Sequence, residues 1–224
     1  MIGILSDAHG NGPAFNQAIE FLRKHGASRF IYLGDAVGYI PSIDVVAALR
    51  LLGSEVICVK GNHEVMLLNN SCDPNGEDVY RLQSVRNSLK VEDRDFIQSW
   101  PTHHMELING RRILFVHGSP KNHTSGYVYP DTDLSLFGES YNYVFMGHTH
   151  YPFIRQQGSA CFINVGSCGM PRDDGRFGAC ATFDPNTGGV RIFRFDITAA
   201  SEKAFANACP IHELVKRTFD RRFA

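Results

Sequence analysis

The stretch Met1-Ile2-Gly3-Ile4-Leu5-Ser6-Asp7-Ala8-His9 runs a short apolar segment straight into an acidic residue and a histidine two positions later. Residues 1–7 read as a buried strand, with Asp7-x-His9 at its end. Phe15, Ala18, Ile19 and Leu22 then keep the i, i+3, i+4, i+7 spacing of one helical face. A second strand is expected over 29–34. A second helical face follows from Ile43, Val46, Ala47 and Leu51, with Pro41 near its first turn, and a third strand over 55–60. Strand–helix–strand–helix–strand implies right-handed crossovers and a parallel sheet.

Working outward, residues 77–89 and 92–99 read as helices of an insert. Asn109-Gly110 separates strand-like runs at 104–108 and 111–116, a strong hairpin signal. Another strand is expected over 142–146, with hairpins around Gln157-Gly158 and Asn186-Thr187-Gly188-Gly189. Ile211, Leu214, Val215 and Phe219 mark one face of a closing helix. The pattern describes two packed sheets covered by helices, parallel in the first half and antiparallel later, with Trp100 and the phenylalanines in the core.

The chain of 224 residues suits a single domain, 1–224, with one sizeable core. Its 22 Lys and Arg balance 23 Asp and Glu, so overall charge supports neither an extended nucleic-acid partner nor a membrane surface. No apolar run approaches the roughly 20 residues that span a bilayer. The opening lacks a basic segment followed by a long apolar one, so no secretory signal is expected. Six scattered cysteines (58, 72, 161, 168, 180 and 209) form no framework, and a reducing cytoplasm is the expected setting. Oligomeric state is left open.

The chemistry lies where the apolar strands end. Their exits read Asp7-x-His9, Gly34-Asp35, Gly61-Asn62-His63-Glu64, His117-Gly118 and Gly147-His148-Thr149-His150. Sheets of this class place ligands at the carboxyl ends of their strands. Singly, the first block fits a strand-end cap, the second a turn, the third a turn leading into a helix. Five such coincidences at successive strand ends favour a metal set. Carboxylate, amide and imidazole donors together suit divalent manganese, iron, zinc, cobalt or nickel better than calcium. Residues two apart in extended chain point to one side, so Asp7/His9 and His148/His150 are each expected to act as a pair.

These five blocks, in this order, resemble the calcineurin-like metallophosphoesterase superfamily. The stretch Asn164-Val165-Gly166-Ser167-Cys168-Gly169-Met170-Pro171-Arg172-Asp173 resembles its small single-domain phosphodiesterase branch. The resemblance implies an α/β fold, a four-layer αββα sandwich with two mixed sheets. It implies Asp7, His9 and His150 on one metal, Asn62, His117 and His148 on a second, and Asp35 bridging both. His63 would stand near the leaving oxygen as an acid or electrostatic group. Two divalent cations against two carboxylates leave the site net positive, suited to a phosphate ester. A hydroxide bridging the two cations would then attack phosphorus in line. Manganese is the favoured ion.

In many members the Gly-Asp block continues with an acidic residue and then Arg-Gly. Here the text is Gly34-Asp35-Ala36-Val37-Gly38-Tyr39. The carboxylate that would orient His63 and the Arg that would grip a monoester dianion are both missing there. Glu64 and Asp44 are the candidates for holding His63. Arg172 is expected either to fork onto substrate phosphate or to pair with Asp173 or Asp174. His123 and Lys121, in the loop after His117, are candidate substrate contacts. His25, His103, His104 and His212 match no ligand position and are expected to be solvated or locally bonded. The expected function is a phosphodiesterase acting on a small or nucleotide-like ester. Alternatives are a phosphomonoesterase, a dinucleoside polyphosphate hydrolase, or a protein-binding scaffold on the same fold.

Overall fold

In the computed structural model, which describes residues 1–208 and 210–222, ten strands form two five-stranded mixed sheets. β1 (Ile2–Leu5), α1 (Gly12–Lys24), β2 (Arg29–Tyr32), α2 (Asp44–Leu52) and β3 (Val56–Cys58) make the expected parallel start. α3 (Asn62–Asn69), α4 (Pro74–Tyr80), α5 (Leu82–Ser88) and α6 (Val91–Ser99) follow. Next come β4 (His103–Ile108), β5 (Arg111–Val116), β6 (Tyr143–Met146), β7 (Phe153–Gln157) and β8 (Ala160–Asn164). The chain continues through β9 (Phe177–Asp184), β10 (Gly189–Asp196), α7 (Thr198–Asn207) and α8 (Glu213–Phe219).

The first sheet runs β10-β9-β1-β2-β3 and the second β4-β5-β6-β8-β7. The strands therefore do not divide into a parallel first half and an antiparallel second. The hairpin β9–β10 returns to cover the open edge of β1, which would otherwise present unpaired peptide groups. In the second sheet β5, β6 and β8 are parallel to one another. Two parallel trios, β1-β2-β3 and β5-β6-β8, thus deliver their carboxyl ends to a common rim.

Between the sheets, Ile2, Ile4, Ile31 and Leu33 from one side meet Phe115, Phe145, Ile163 and Val165 from the other. Phe145 stacks on Phe115 within its own sheet and touches Phe183 of the other, with ring centres 5.3 and 5.4 Å apart. The outer face of the first sheet is covered by α1, whose buried stripe Phe15, Ala18, Ile19 and Leu22 is the expected one. Asn11 caps this helix, its side-chain oxygen accepting from the Ala14 amide. The segment between β5 and β6, with one 3₁₀ turn at Leu134–Phe137, lies over the second sheet. Both Asn109 and Gly110 have positive φ, as a tight hairpin turn requires.

Three helices depart from expectation. The helix expected over 77–89 breaks at Arg81, which adopts a left-handed conformation (φ 57°). The break leaves the Tyr80 carbonyl to accept from the Tyr39 amide at 2.7 Å, tying the insert to the rim. α2 starts at Asp44 and buries Val45, Val46 and Leu49, so Leu51 is exposed. α8 begins only at Glu213; Ile211 and Val215 are buried but Leu214 projects outward. Cys209 lies outside the described residues.

Phe145→Ala should lower stability by about 3–5 kcal/mol, because the cavity opens between two sheets that cannot close on each other. Urea unfolding of the two proteins measures this, and a loss below about 1 kcal/mol would show that the interface repacks.

Candidate metal centre

Three of the five strand exits turn sharply. Asp7 (φ 58°), His9 (φ 47°), Asp35 (φ 58°), His148 (φ 65°) and His150 (φ 62°) all lie in the left-handed region that side chains other than glycine seldom adopt. The pairs Asp7/His9 and His148/His150 therefore converge through left-handed turns, not through the alternation of an extended strand. Backbone bonds hold the turns in place. The Asp7 amide donates to the Gly34 carbonyl and the His9 amide to the Asp35 carbonyl, both at 3.0 Å. The His148 amide donates to Asp7 Oδ2 at 3.0 Å. Ser167 donates its hydroxyl to the Asp7 carbonyl, and Asn164 donates to the Gly147 carbonyl. The Asn164–Met170 stretch is thus the brace behind two ligand turns.

The ring nitrogens are oriented from behind. Nδ1 of His9 donates to the Val37 carbonyl, that of His117 to Leu33, and that of His150 to Met170. In His9 and His150 this leaves two Nε2 atoms facing each other 3.2 Å apart. His117 Nε2 faces His148 Nδ1 and Asn62 Oδ1, each at 3.1 Å. Asp7 Oδ1 lies 3.2 Å from His150 Nε2 and 3.7 Å from His9 Nε2. Asp35 Oδ2 stands 3.3 Å from His117 Nε2 and 3.7 Å from His9 Nε2, between the two clusters. Asp7 Oδ1 and His148 Nε2 are buried without a hydrogen-bond partner. Acceptors packed this closely, with their protons directed elsewhere, form a site for cations.

The electrostatics agree. Burial pushes the Asp7 carboxyl up, but His150 and then His117 outweigh it and hold it well below the usual range. Burial raises Asp35 too, and His117 and His63 overcome it. Burial pulls the His117 imidazole down, yet Asp35 and Asp7 lift it to about 9. His148 and His150, chiefly through burial, fall to about 4, the neutral form in which imidazole binds metal. Paired carboxylates that force a charge onto an imidazole demand positive charge in the site. Donor types and geometry fit three overlapping groups, Asp7/His9/His150, His9/Asp35/His63 and Asp35/His117/His148, with Asn62 beside the last.

Asn62 and His63 open α3, and the His63 amide donates to Asp35 Oδ1 at 3.0 Å. Neither expected candidate holds the His63 ring. Glu64 turns away and accepts from the amides of Gly61, Asp35 and Ala36 at 2.7–2.8 Å. Asp44 packs against Gly12, on another side of the molecule. The ring of His63 is instead wedged among His9, Tyr39 and Tyr80, with centres 4.7–5.1 Å away. Its buried Nδ1 has no partner and presses on Gly38, where an added Cβ would come within 2.1 Å.

Arg172 does not pair with its acidic neighbours. Asp173 bonds Arg194 and Asp174 bonds Arg176. Arg172 donates instead to the Tyr39 hydroxyl at 3.0 Å, and its side chain lines the pocket above His9, Asp35, Asn62 and His63. His123 and Lys121 do not line that pocket. The loop closes on itself through Gly118 N–H to the His123 carbonyl, and His123 packs its ring on His103 at 4.4 Å. Of the remaining histidines, His25 donates to the Phe21 carbonyl, His104 pairs with Glu106 and His212 caps α8. The sequence reasoning missed Tyr80 and Tyr127, which wall the pocket. Tyr127 lies over His148 with ring centres 4.2 Å apart. No spacing rule links them to the ligands; each arrives on a separate loop or helix end.

Residues 1–188 match the calcineurin-like phosphoesterase superfamily domain, and the chain belongs to that family. It is a metal-dependent phosphoester hydrolase. The chain is 29% identical to the uncharacterized protein MJ0912 of Methanocaldococcus jannaschii, with 94% of each covered. It is 24% identical to phosphodiesterase YfcE of Escherichia coli over 75% of this chain and 78% of that protein. A metallophosphoesterase from Sphaerobacter thermophilus shares the fold, with TM-score 0.79, 24% identity, and 98% and 97% of the two chains covered.

Two outcomes follow. Adding manganese to chelated protein should raise the melting temperature, by the equivalent of about 2.7 kcal/mol at a hundredfold excess over Kd. Asp35→Asn should abolish that rise, and an equal rise in the variant would remove Asp35 from the site. Glu64→Ala, which strands three buried amides, should cost about 2–4 kcal/mol, and Glu64→Gln clearly less. Thermal unfolding measures both, and equal losses would deny the carboxylate its anchoring role.

Proposed function

We propose that the protein is a phosphodiesterase acting on a small or nucleotide-like ester through two divalent metal ions, manganese foremost. The observation that carries this reading is the convergence of buried acceptor atoms from five strand exits beneath the Arg172 guanidinium, which has no ion-pair partner among the described residues. Asp7, His9 and His150 would hold one ion, and Asn62, His117 and His148 the other, with Asp35 shared. Such a pair, when bound, supplies a hydroxide at neutral pH and neutralises charge growing on phosphoryl oxygens.

The chain's own groups do the remainder. Arg172 faces the same pocket and is anchored by the Tyr39 hydroxyl, so it can donate to a non-bridging phosphate oxygen. His63 Nε2, 3.9 Å from Asp35 Oδ2, stands beside the ligand cluster; burial pulls its imidazole down to about 3, so in its neutral form it can donate a hydrogen bond to the departing oxygen. Tyr39, Tyr80 and Tyr127 narrow the pocket to about 150 Å³, which limits water around the reacting phosphate. Among the described residues no helix is long and apolar enough to cross a membrane. The described cysteines are all unpaired, which supports a cytoplasmic setting.

The preference for a diester rests on Gly38 and Tyr39 standing where an acidic residue and Arg occur in many members, and the name given to YfcE supports it. Arg172 favours a second reading, because a guanidinium in that pocket also suits a monoester dianion or a polyphosphate. The intact acceptor cluster speaks against a scaffold that has lost its chemistry.

With manganese and bis-para-nitrophenyl phosphate, Asp35→Ala should lose all measurable turnover. His63→Ala should fall by about 10²–10⁴ in kcat. Undiminished turnover in both variants sinks the proposal, and a decisive preference for para-nitrophenyl phosphate over the diester would move it to the second reading.

A further inference from the structure

A larger cavity of about 390 Å³ adjoins the metal pocket and shares Tyr39 and Arg172 with it. Its other walls include Tyr129, Tyr151, Met170, Leu214 and Arg221. An aromatic path leads into it from the metal centre. Tyr127 covers His148, Tyr129 lies parallel to Tyr127 at 5.8 Å, and Tyr151 follows Tyr129 at 6.1 Å. Tyr129 is 39% exposed and Leu214 55% exposed, so apolar surface faces water there.

Charge in this cavity is one-sided. Arg172 and Arg221 line it and, among the described residues, no Asp or Glu does. Among the described residues neither guanidinium has an ion-pair partner, whereas the nearby Arg176 and Arg194 each have one. Arg221 donates to the Arg172 carbonyl at 3.3 Å, which fixes the two arginines side by side along the cavity. Asp173 and Asp174 are taken by Arg194 and Arg176, and Arg221, an exposed residue, lines the cavity beside Arg172. An aromatic wall opposite paired cations fits a flat ring system carrying its own anion.

We propose that this cavity is the subsite for the organic half of the ester, and that it takes a nucleoside bearing a second phosphate. The proposal rests on the phosphodiesterase reading and names its substrate class. The ester phosphate would lie over the metal ligands with Arg172 at its edge, the base against Tyr129 and Tyr151, and the second phosphate on Arg221. The volume suits a nucleoside, lying within the usual range of small-ligand sites.

Three para-nitrophenyl diesters separate the contributions: methyl para-nitrophenyl phosphate, thymidine 5′-(para-nitrophenyl phosphate), and the same compound carrying a 3′-phosphate. KM should fall from the first to the second, and again by about tenfold from the second to the third. Arg221→Gln should erase the second step and Arg221→Lys retain most of it. Tyr151→Ala should shrink the first step. Equal KM for all three esters in the unaltered enzyme overturns the subsite, as does an Arg221→Gln effect that is the same on every ester. If no ester is hydrolysed, the phosphodiesterase reading fails by itself. Calorimetry with adenosine 3′,5′-bisphosphate then reads the cavity directly: binding that weakens about tenfold in Arg221→Gln supports it, and no binding overturns it.

Discussion

The structure depends on one backbone constraint: at three of the rim's strand exits the chain must turn left at once to bring its side chains together. Asp7, His9, Asp35, His148 and His150 all do so. Such conformations cost about 1–3 kcal/mol each and persist only where the surroundings over-determine them. Here the surroundings are the apolar slab between the sheets and the buried bonds behind the turns. Glu64 gathers the amides of Gly61, Asp35 and Ala36, which joins the exit of β2 to the start of α3. Packing energy from the core is thereby spent on holding like acceptors against one another.

That crowding is the source of the chemistry. Asp7 and Asp35 are almost wholly buried, and the imidazoles around them show bare nitrogens to one another. A buried arrangement of this kind is unfavourable until positive charge enters it. The family to which the chain belongs uses such charge for phosphoester hydrolysis. Of the groups above the rim, Tyr39 and Tyr151 stand on the strand exits that carry Asp35 and His150, whereas Tyr80, Tyr127 and Arg172 come from other segments.

Much of this was legible in the sequence. The apolar runs, each ending in a metal-binding residue type, gave the strand exits directly, and the helical spacing of Phe15, Ala18, Ile19 and Leu22 survived into the structure. Other features were hidden for physical reasons. Nothing in local propensity marks Arg81 as left-handed; the bond between Tyr80 and Tyr39, far apart in sequence, decides it. Leu51 and Leu214 look like core residues because periodicity does not report where a helix begins. The partner of Arg172 could not be read either, since Asp173 and Asp174 stand next to it in the chain but are claimed by Arg194 and Arg176. The return of β9 and β10 to β1 is a long-range pairing that no local signal announces.

The contact between His63 and Gly38 carries an evolutionary consequence. The superfamily pattern that the sequence resembles has a carboxylate where Gly38 stands, and one base change can turn a glycine codon into an aspartate codon. In this chain that residue would meet a backbone at φ 95° and a ring already occupying its Cβ position. Acquiring that pattern would therefore require the imidazole, the turn and the tyrosines around them to move in concert. A side chain at position 38 and the present seat of the His63 ring therefore exclude each other.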